Sequence, residues 1–144
     1  MTANASPDLL SSLIGKPYQP GGQGPEVFDC WGLVKYVYEE VFQTHLQDFS
    51  HIYAHDLKAC SAQIESSTGS TNWLQVETPS HGSVVAMSRS KILHHVGVWL
   101  DIDGGLCLHA VDGQAVIAQN LQRLKQERFT KILFFNYGPG LPSY

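Results

Sequence analysis

The sequence predicts an α+β domain in which helices come first and a mostly antiparallel β-sheet follows. An apolar stripe of Leu33, Val34, Val37, Tyr38 and Val41 is typical of an amphipathic helix over residues 29–42. From Ser83 onward the chain consists of short β-rich runs, SVVAM, HHVGVWL, GLCLHA, AVIAQ and ILFFNY, separated by polar or turn-like segments. With 144 residues, 43% of them hydrophobic, the chain can bury one core, so we expect a single domain over residues 1–144.

The remaining elements follow from local signals. Ser6 as N-cap, Pro7 at the first helical position and Gly15 as terminator predict a short N-terminal helix. Residues 16–25 are rich in Gly and Pro and predict a loop. Residues 54–66 are interpreted as a further helix, and residues 121–127 as one or two helical turns between the last strands.

Composition excludes several classes of function. The net charge of −4 and the scattered Lys and Arg residues predict no nucleic-acid partner. No apolar run is long enough for a membrane span, and the N-terminus shows no pattern of a secretory signal peptide. We therefore expect synthesis in the cytoplasm, and work outside it would need another delivery route. Three cysteines leave at least one thiol free.

Cys30 stands where the amphipathic helix begins, directly after Asp29, a residue typical of an N-cap. The unpaired N–H groups and the positive end of the helix dipole favour a thiolate there, which makes Cys30 a candidate nucleophile. A buried core thiol is the alternative, because free cysteine is among the most buried residue types. We interpret Cys60 and Cys107 as buried, inert thiols.

A nucleophilic cysteine needs a base and a group that orients the base. Strand alternation places His95, Gly97 and Trp99 on one face of HHVGVWL, and it places Cys107 and His109 together in GLCLHA. His95 and His109 are thus predicted to share a sheet face on neighbouring strands, although a shift of one residue in register would put His94 in place of His95. His51, His55 and Cys60 could form a zinc site, or the histidines could be solvated side chains on the surface. We favour solvated histidines, because no CxxC motif is present.

Four blocks in order, PYQPGG, FDCWGLV, HVGVWL and LHA, resemble the NlpC/P60 family of papain-like cysteine peptidases over residues 16–137. The resemblance implies a papain-like fold, with Cys30 as nucleophile, His95 as general base and His109 as the polar residue that orients it. It also implies that Tyr18 helps to bind substrate or the oxyanion and that Asp29 helps to bind the amino end of a cell-wall peptide. No metal or organic cofactor is implied.

The chain also departs from the family pattern. Trp31 follows the cysteine where the family more often has serine, and DCWG resembles the branch found in phage tail-associated peptidases. The resemblance implies hydrolysis of peptidoglycan stem peptides at the D-γ-glutamyl–diaminopimelate (or lysine) bond, with Trp31 bordering the site that selects the peptide. Action in the periplasm or cell wall would follow delivery by a phage tail or by a specialised secretion system as an effector. The partners of such a protein would be the delivery apparatus and, for an effector, an immunity or inhibitor protein. A papain-like amidase or deamidase acting on a protein target and a non-catalytic tail module remain as alternatives.

Overall fold

The computed structural model describes residues 7–46, 73–89 and 95–137. The helices are α1 (Pro7–Leu13), α2 (Cys30–Glu40) and α3 (Leu121–Gln126). The strands are β1 (Trp73–Val76), β2 (Val84–Ser88), β3 (His95–Leu100), β4 (Leu106–Ala110), β5 (Val116–Gln119) and β6 (Lys131–Tyr137).

The six strands form a single antiparallel sheet in the order β1-β6-β2-β3-β4-β5. β2, β3, β4 and β5 lie side by side in chain order, whereas β6 returns to insert between β1 and β2. The register aligns Val98 with Leu108 across β3 and β4, and Cys107 with Gln119 across β4 and β5. The candidate site lies on this part of the sheet.

The two sides of the sheet support two hydrophobic clusters. Helix α2 packs on β3 and β4, and its apolar residues, including Leu33 and Val34, form the larger cluster with Val96, Val98 and Leu108. The opposite side carries a smaller cluster, whose members are Val85, Met87, Trp99, Cys107, Leu124, Phe129 and Phe134. Alternation along each strand therefore separates side chains that face α2 from side chains that face α3.

The start of α2 is tied to the loop before it through Asp29. This residue is the N-cap and is 1% exposed. Its Oδ1 accepts a hydrogen bond from Gly32 N at 2.7 Å and its Oδ2 accepts one from Gly21 N at 3.0 Å. A Cβ on Gly32 would lie 1.9 Å from the carbonyl oxygen of Gly22, so only glycine lets the loop approach the first helical turn this closely.

The predicted α+β architecture is confirmed. The short N-terminal helix, the Asp29 cap and the helical segment near residue 121 are also confirmed. The five predicted strands are present, with bounds shifted by one or two residues. Strand β1 was missed, because its sequence WLQV does not alternate and follows a polar segment. The helix expected over residues 54–66 and the Ser6 cap lie outside the described residues. Within the described ranges, the structure contains no helix with the length and apolar character of a membrane span.

Candidate active site

Cys30 is the first residue of α2 and is fully buried, with 0% of its surface exposed. It belongs to the larger cluster, on the side of the sheet that α2 covers. The N–H groups of the first helical turn lie outside the i→i−4 ladder and point toward the helix N-terminus, where they favour negative charge. A thiolate at this position would gain that stabilisation, whereas the burial of the residue limits its contact with solvent.

Tyr18 lies beside the segment that leads into the helix. The backbone of residues 17–19 forms a parallel bridge with Phe28, in which Phe28 N donates to Pro17 O at 3.1 Å and Gln19 N donates to Phe28 O at 3.0 Å. The Tyr18 side chain is half-buried and packs against the larger cluster. The fold thus brings Tyr18 next to the residues that immediately precede Cys30.

Trp31, the second residue of α2, is 4% exposed and also belongs to the larger cluster. Most of its indole surface is therefore used in packing. Its role in selecting a peptide stays a prediction, and only a small part of its surface is open to a ligand.

His95 and His109 are hydrogen-bonded to each other, with 2.8 Å between His95 Nε2 and His109 Nδ1. His95 is the first residue of β3, and His109 lies on the neighbouring strand β4. The Cβ position of Gly97 is 2.9 Å from His109 Cβ, so the two histidines are diagonal neighbours on one face of the antiparallel pair. The predicted shared face is confirmed.

His109 is the more deeply buried member of this pair, with 1% of its surface exposed. Its second ring nitrogen, Nε2, lies 2.9 Å from Oε1 of Gln119 on β5. Burial lowers the pKa of His109 to about 4, against an opposing contribution from the hydrogen bond with Gln119 and assisted by the charge of Arg89. His109 is therefore neutral near pH 7.

Aromatic and cationic groups border the histidine pair. The Phe129 ring stacks on His95, with 5.6 Å between centroids and an interplanar angle of 5°, and it meets His109 edge-on at 6.3 Å. The guanidinium of Arg89 lies over Phe129, 4.3 Å from the ring centroid, and its Nε donates to Glu127 O. These contacts restrict the orientation of the His95 ring.

Gly97 permits the close approach of β3 and β4 at the histidines. A Cβ at this position would lie 2.6 Å from Cys107 Sγ and 2.8 Å from the carbonyl oxygen of Leu108. The expectation that this glycine leaves room for a close neighbour is confirmed. Cys107 is buried as expected, and burial raises its thiol pKa well above the ordinary range, consistent with an inert thiol.

Several other candidates of the sequence lie outside the described residues, namely His51, His55, Cys60 and His94. Residues 7–46, 73–89 and 95–137 contain no group of three or more His, Cys, Asp or Glu side chains arranged to hold a metal ion.

Gln119 and Phe129 were missed as neighbours of the histidines. Gln119 is the last residue of AVIAQ, and Phe129 lies in the segment between α3 and β6. Placing Gln119 beside His109 requires the register of β4 and β5. The sequence signal available for Gln119 was a polar residue at the end of an apolar strand. This signal indicates the face of the sheet on which Gln119 lies, but not the residue of β4 that it contacts.

Comparisons with known proteins show the family to which the chain belongs. The sequence pattern that defines the NlpC/P60 family matches residues 15–134. Over 99 residues, 69% of this chain, the sequence is 28% identical to the probable endopeptidase p60 of Listeria grayi, and the match covers 16% of that relative. The chain thus spans well under two thirds of the length of this curated relative.

Solved structures that are similar to this chain include a domain of a peptidoglycan hydrolase and a staphylococcal protein. The NlpC/p60 domain of the peptidoglycan hydrolase SagA has a TM-score of 0.59 and 22% identity, over 92% of this chain and 97% of that one. A Staphylococcus aureus protein described as similar to lipoprotein, NLP/P60 family, has a TM-score of 0.47 and 18% identity, over 90% of this chain and 42% of that one. The likeness to the SagA domain concerns the fold, and the sequence match over residues 15–134 shows that the chain belongs to the NlpC/P60 family.

Proposed function

We propose that this protein is a cysteine peptidase that hydrolyses the stem peptides of peptidoglycan. In this proposal Cys30 is the nucleophile, His95 the general base and His109 the residue that orients the base. Tyr18 contributes to binding of the substrate or oxyanion, and Asp29 helps to bind the amino end of the peptide as well as capping α2.

The observation that carries the proposal is the hydrogen-bonded pair of His95 and His109 on the strands against which α2 packs. A base whose second nitrogen is held by a neutral partner is oriented for proton transfer, as in nucleophile–base–orienter triads. Cys30 at the start of α2 adds a thiol whose anionic form the helix N-terminus favours.

The proposal requires the Cys30 thiol to come within hydrogen-bond reach of the His95 ring. Cys30 approaches the sheet from the side covered by α2, whereas His95 stacks on Phe129 of the opposite cluster. His95 is the first residue of β3, at the end of the strand, and the proposal places the approach of the Cys30 thiol around this end.

The reaction then proceeds as acyl transfer. His95 takes the thiol proton, the sulfur attacks the amide carbonyl, and the leaving amine takes that proton as a thioester forms. Water, deprotonated by His95, attacks the thioester and releases the acid and the thiol. A backbone N–H at the start of α2, together with Tyr18, would stabilise the oxyanion.

The substrate class is supported by the family and by two of the proteins named above, which are described as a probable endopeptidase and a peptidoglycan hydrolase. The bond between D-γ-glutamate and diaminopimelate, or lysine, is the finer part of the proposal. It derives from the resemblance of the FDCWG, HVG and HA blocks to the family pattern.

Digestion of purified muropeptides, with the products located by mass spectrometry, tests this function. We expect cleavage after D-γ-glutamate by the wild type and loss of cleavage in Cys30→Ala and His95→Ala. Cleavage should be retained in His45→Ala, because the exposed His45 ring contacts Glu39 at the C-terminal end of α2, at the other end of the helix from Cys30. Intact stem peptides at high enzyme concentration would contradict the proposal. Release of ammonia from a protein substrate, in a separate incubation, would instead indicate a deamidase.

A non-catalytic module is the second candidate, and the complete burial of Cys30 favours it. Iodoacetamide labelling across pH, with Cys30 followed by peptide mapping, separates the two. A catalytic thiolate reacts well below pH 8.5, the approximate pKa of a free thiol, and loses this reactivity in His95→Ala. A core thiol labels only as the protein unfolds, so neither protein would show fast labelling below pH 8.5.

The route to the substrate is a further proposal. The DCWG motif resembles phage tail-associated peptidases, which supports delivery by a tail, and secretion as an effector with an immunity partner is the other route that we retain. Purified phage particles or secretion-system supernatants, probed with an antibody against this chain, distinguish the two routes.

A further inference from the structure

Gln119 extends the histidine pair into a chain of three hydrogen-bonded side chains on three neighbouring strands. It lies on β5, is 9% exposed, and its Oε1 is 2.9 Å from His109 Nε2. His109 Nδ1 is in turn 2.8 Å from His95 Nε2. The chain therefore runs from β5 through β4 to β3, in the order Gln119, His109 and His95.

The direction of these hydrogen bonds follows from the chemistry of the amide. A carbonyl oxygen only accepts, so His109 Nε2 must carry the proton that it donates to Gln119 Oε1. A neutral imidazole has one protonated nitrogen, and His109 Nδ1 therefore holds a lone pair. His95 Nε2 must then donate to that lone pair, which leaves the lone pair of neutral His95 on Nδ1.

We propose that Gln119 is a positioning residue whose carbonyl selects the tautomer of His109 and, through it, the tautomer of His95. This inference rests on the proposed function for its catalytic consequence, although the tautomers themselves do not depend on it. The lone pair on His95 Nδ1 is the one available to take the proton of the nucleophile.

Proton transfer in this arrangement is balanced. The S–H bond breaks, the electron pair stays on sulfur, and an N–H bond forms at His95 Nδ1. The resulting imidazolium keeps its Nε2–H bond to the lone pair of neutral His109, which stabilises the positive charge. Were His109 protonated on Nδ1 instead, His95 would have to carry its proton on Nδ1, where it cannot accept another.

Removal of the amide carbonyl tests the inference. In Gln119→Leu we expect His109 to populate both tautomers. We expect kcat to fall about 10- to 100-fold, the range found when the hydrogen-bond partner that orients a metal-binding histidine is removed, with KM little changed. Gln119→Glu keeps an acceptor oxygen and should retain the His109 tautomer and most of the activity. Gln114→Leu, on the exposed turn before β5, is the matched control and should change neither property.

The decisive measurement is the ¹⁵N NMR of the imidazole nitrogens, which identifies the protonated nitrogen of each neutral ring. The wild type should show protonated Nε2 and unprotonated Nδ1 in both His109 and His95. Protonated Nδ1 in wild-type His109 would overturn the inference without any variant, so a misfolded Gln119→Leu protein would not leave it untested.

The two proposals fail separately. If the tautomers are as expected but the wild type cleaves no muropeptide, the proposed function fails and the role of Gln119 in selecting the tautomer stands. If the wild type cleaves and Gln119→Leu keeps both wild-type tautomers and kcat, the role of Gln119 fails and the function stands.

Discussion

Replacement of His109 by asparagine should reduce the amount by which the free energy of unfolding decreases in mild acid. The side chain is 1% exposed and burial lowers its pKa to about 4. In the unfolded chain a histidine titrates near pH 6.5. Between these two values the unfolded state binds a proton that the native state does not, so stability falls as the pH falls.

The size of the effect follows from the two pKa values. Each unit of difference corresponds to about 1.4 kcal/mol, so the fall from near pH 6.5 to about pH 4 amounts to roughly 3 kcal/mol for His109. By pH 5 about 2 kcal/mol of this is already lost. Below pH 4 both states bind the proton and the contribution levels off.

Urea unfolding at pH 7 and at pH 5, followed by circular dichroism, measures this contribution. The free energy of unfolding of the wild type should decrease by about 2 kcal/mol more than that of His109→Asn over this interval, since the other titrating groups are common to both proteins. Leu108→Ala is the matched control, because it removes a buried, non-titrating side chain from the same strand. It should lower stability at both pH values and keep the acid dependence of the wild type.

Equal acid dependence in the wild type and His109→Asn would refute the reasoning. It would mean that the native state accepts a proton on His109 as readily as the unfolded chain does. His109 would then become protonated already in mild acid, and the hydrogen-bonded chain of Gln119, His109 and His95 would no longer contain a neutral His109.

Three further substitutions test the packing around the site, each by the urea midpoint. Gly97→Ala should destabilise by about 1–3 kcal/mol, because its Cβ would lie 2.8 Å from the carbonyl oxygen of Leu108. Gly32→Ala should cost at least as much, since its Cβ would lie 1.9 Å from the carbonyl oxygen of Gly22. Asp29→Ala should cost about 1 kcal/mol through loss of the helix cap, and Asp29→Asn, which keeps an acceptor for Gly32 N, should cost less.

Each of these has its own contradicting result. Unchanged stability in Gly97→Ala or Gly32→Ala would show that the backbone moves away at little cost. Equal losses in Asp29→Ala and Asp29→Asn would assign the effect to the contact of Asp29 with Gly21 N rather than to the cap, since an amide nitrogen cannot accept that bond.

Much of the candidate site was predictable because its signals are local. The apolar stripe after Cys30 predicts α2, and Asp29 predicts its start, because capping and amphipathicity depend on residues within a few positions. Alternation likewise places His95 beside Gly97 on one face of β3. These predictions needed no knowledge of which strands are neighbours.

Other features depend on contacts between distant parts of the chain. The separation of β4 and β5 along the sequence does not specify which residue of one strand lies opposite which residue of the other, and the contact of Gln119 with His109 depends on that register. The stacking of Phe129 on His95 depends on the path of the segment between α3 and β6, because the pairing of β6 with β2 decides where this segment lies.

The chemical properties of the candidate site also fall into two groups, those that the sequence determines and those that depend on tertiary packing. Residue order and periodicity decide that a cysteine begins a helix and that two histidines share a sheet face, because backbone geometry alone sets those positions. The neutral state of His109, its hydrogen bond to Gln119 and the burial of Cys30 arise only when the strands and α2 pack together. Desolvation and hydrogen-bond direction are properties of that assembled environment, and no local stretch of sequence contains them.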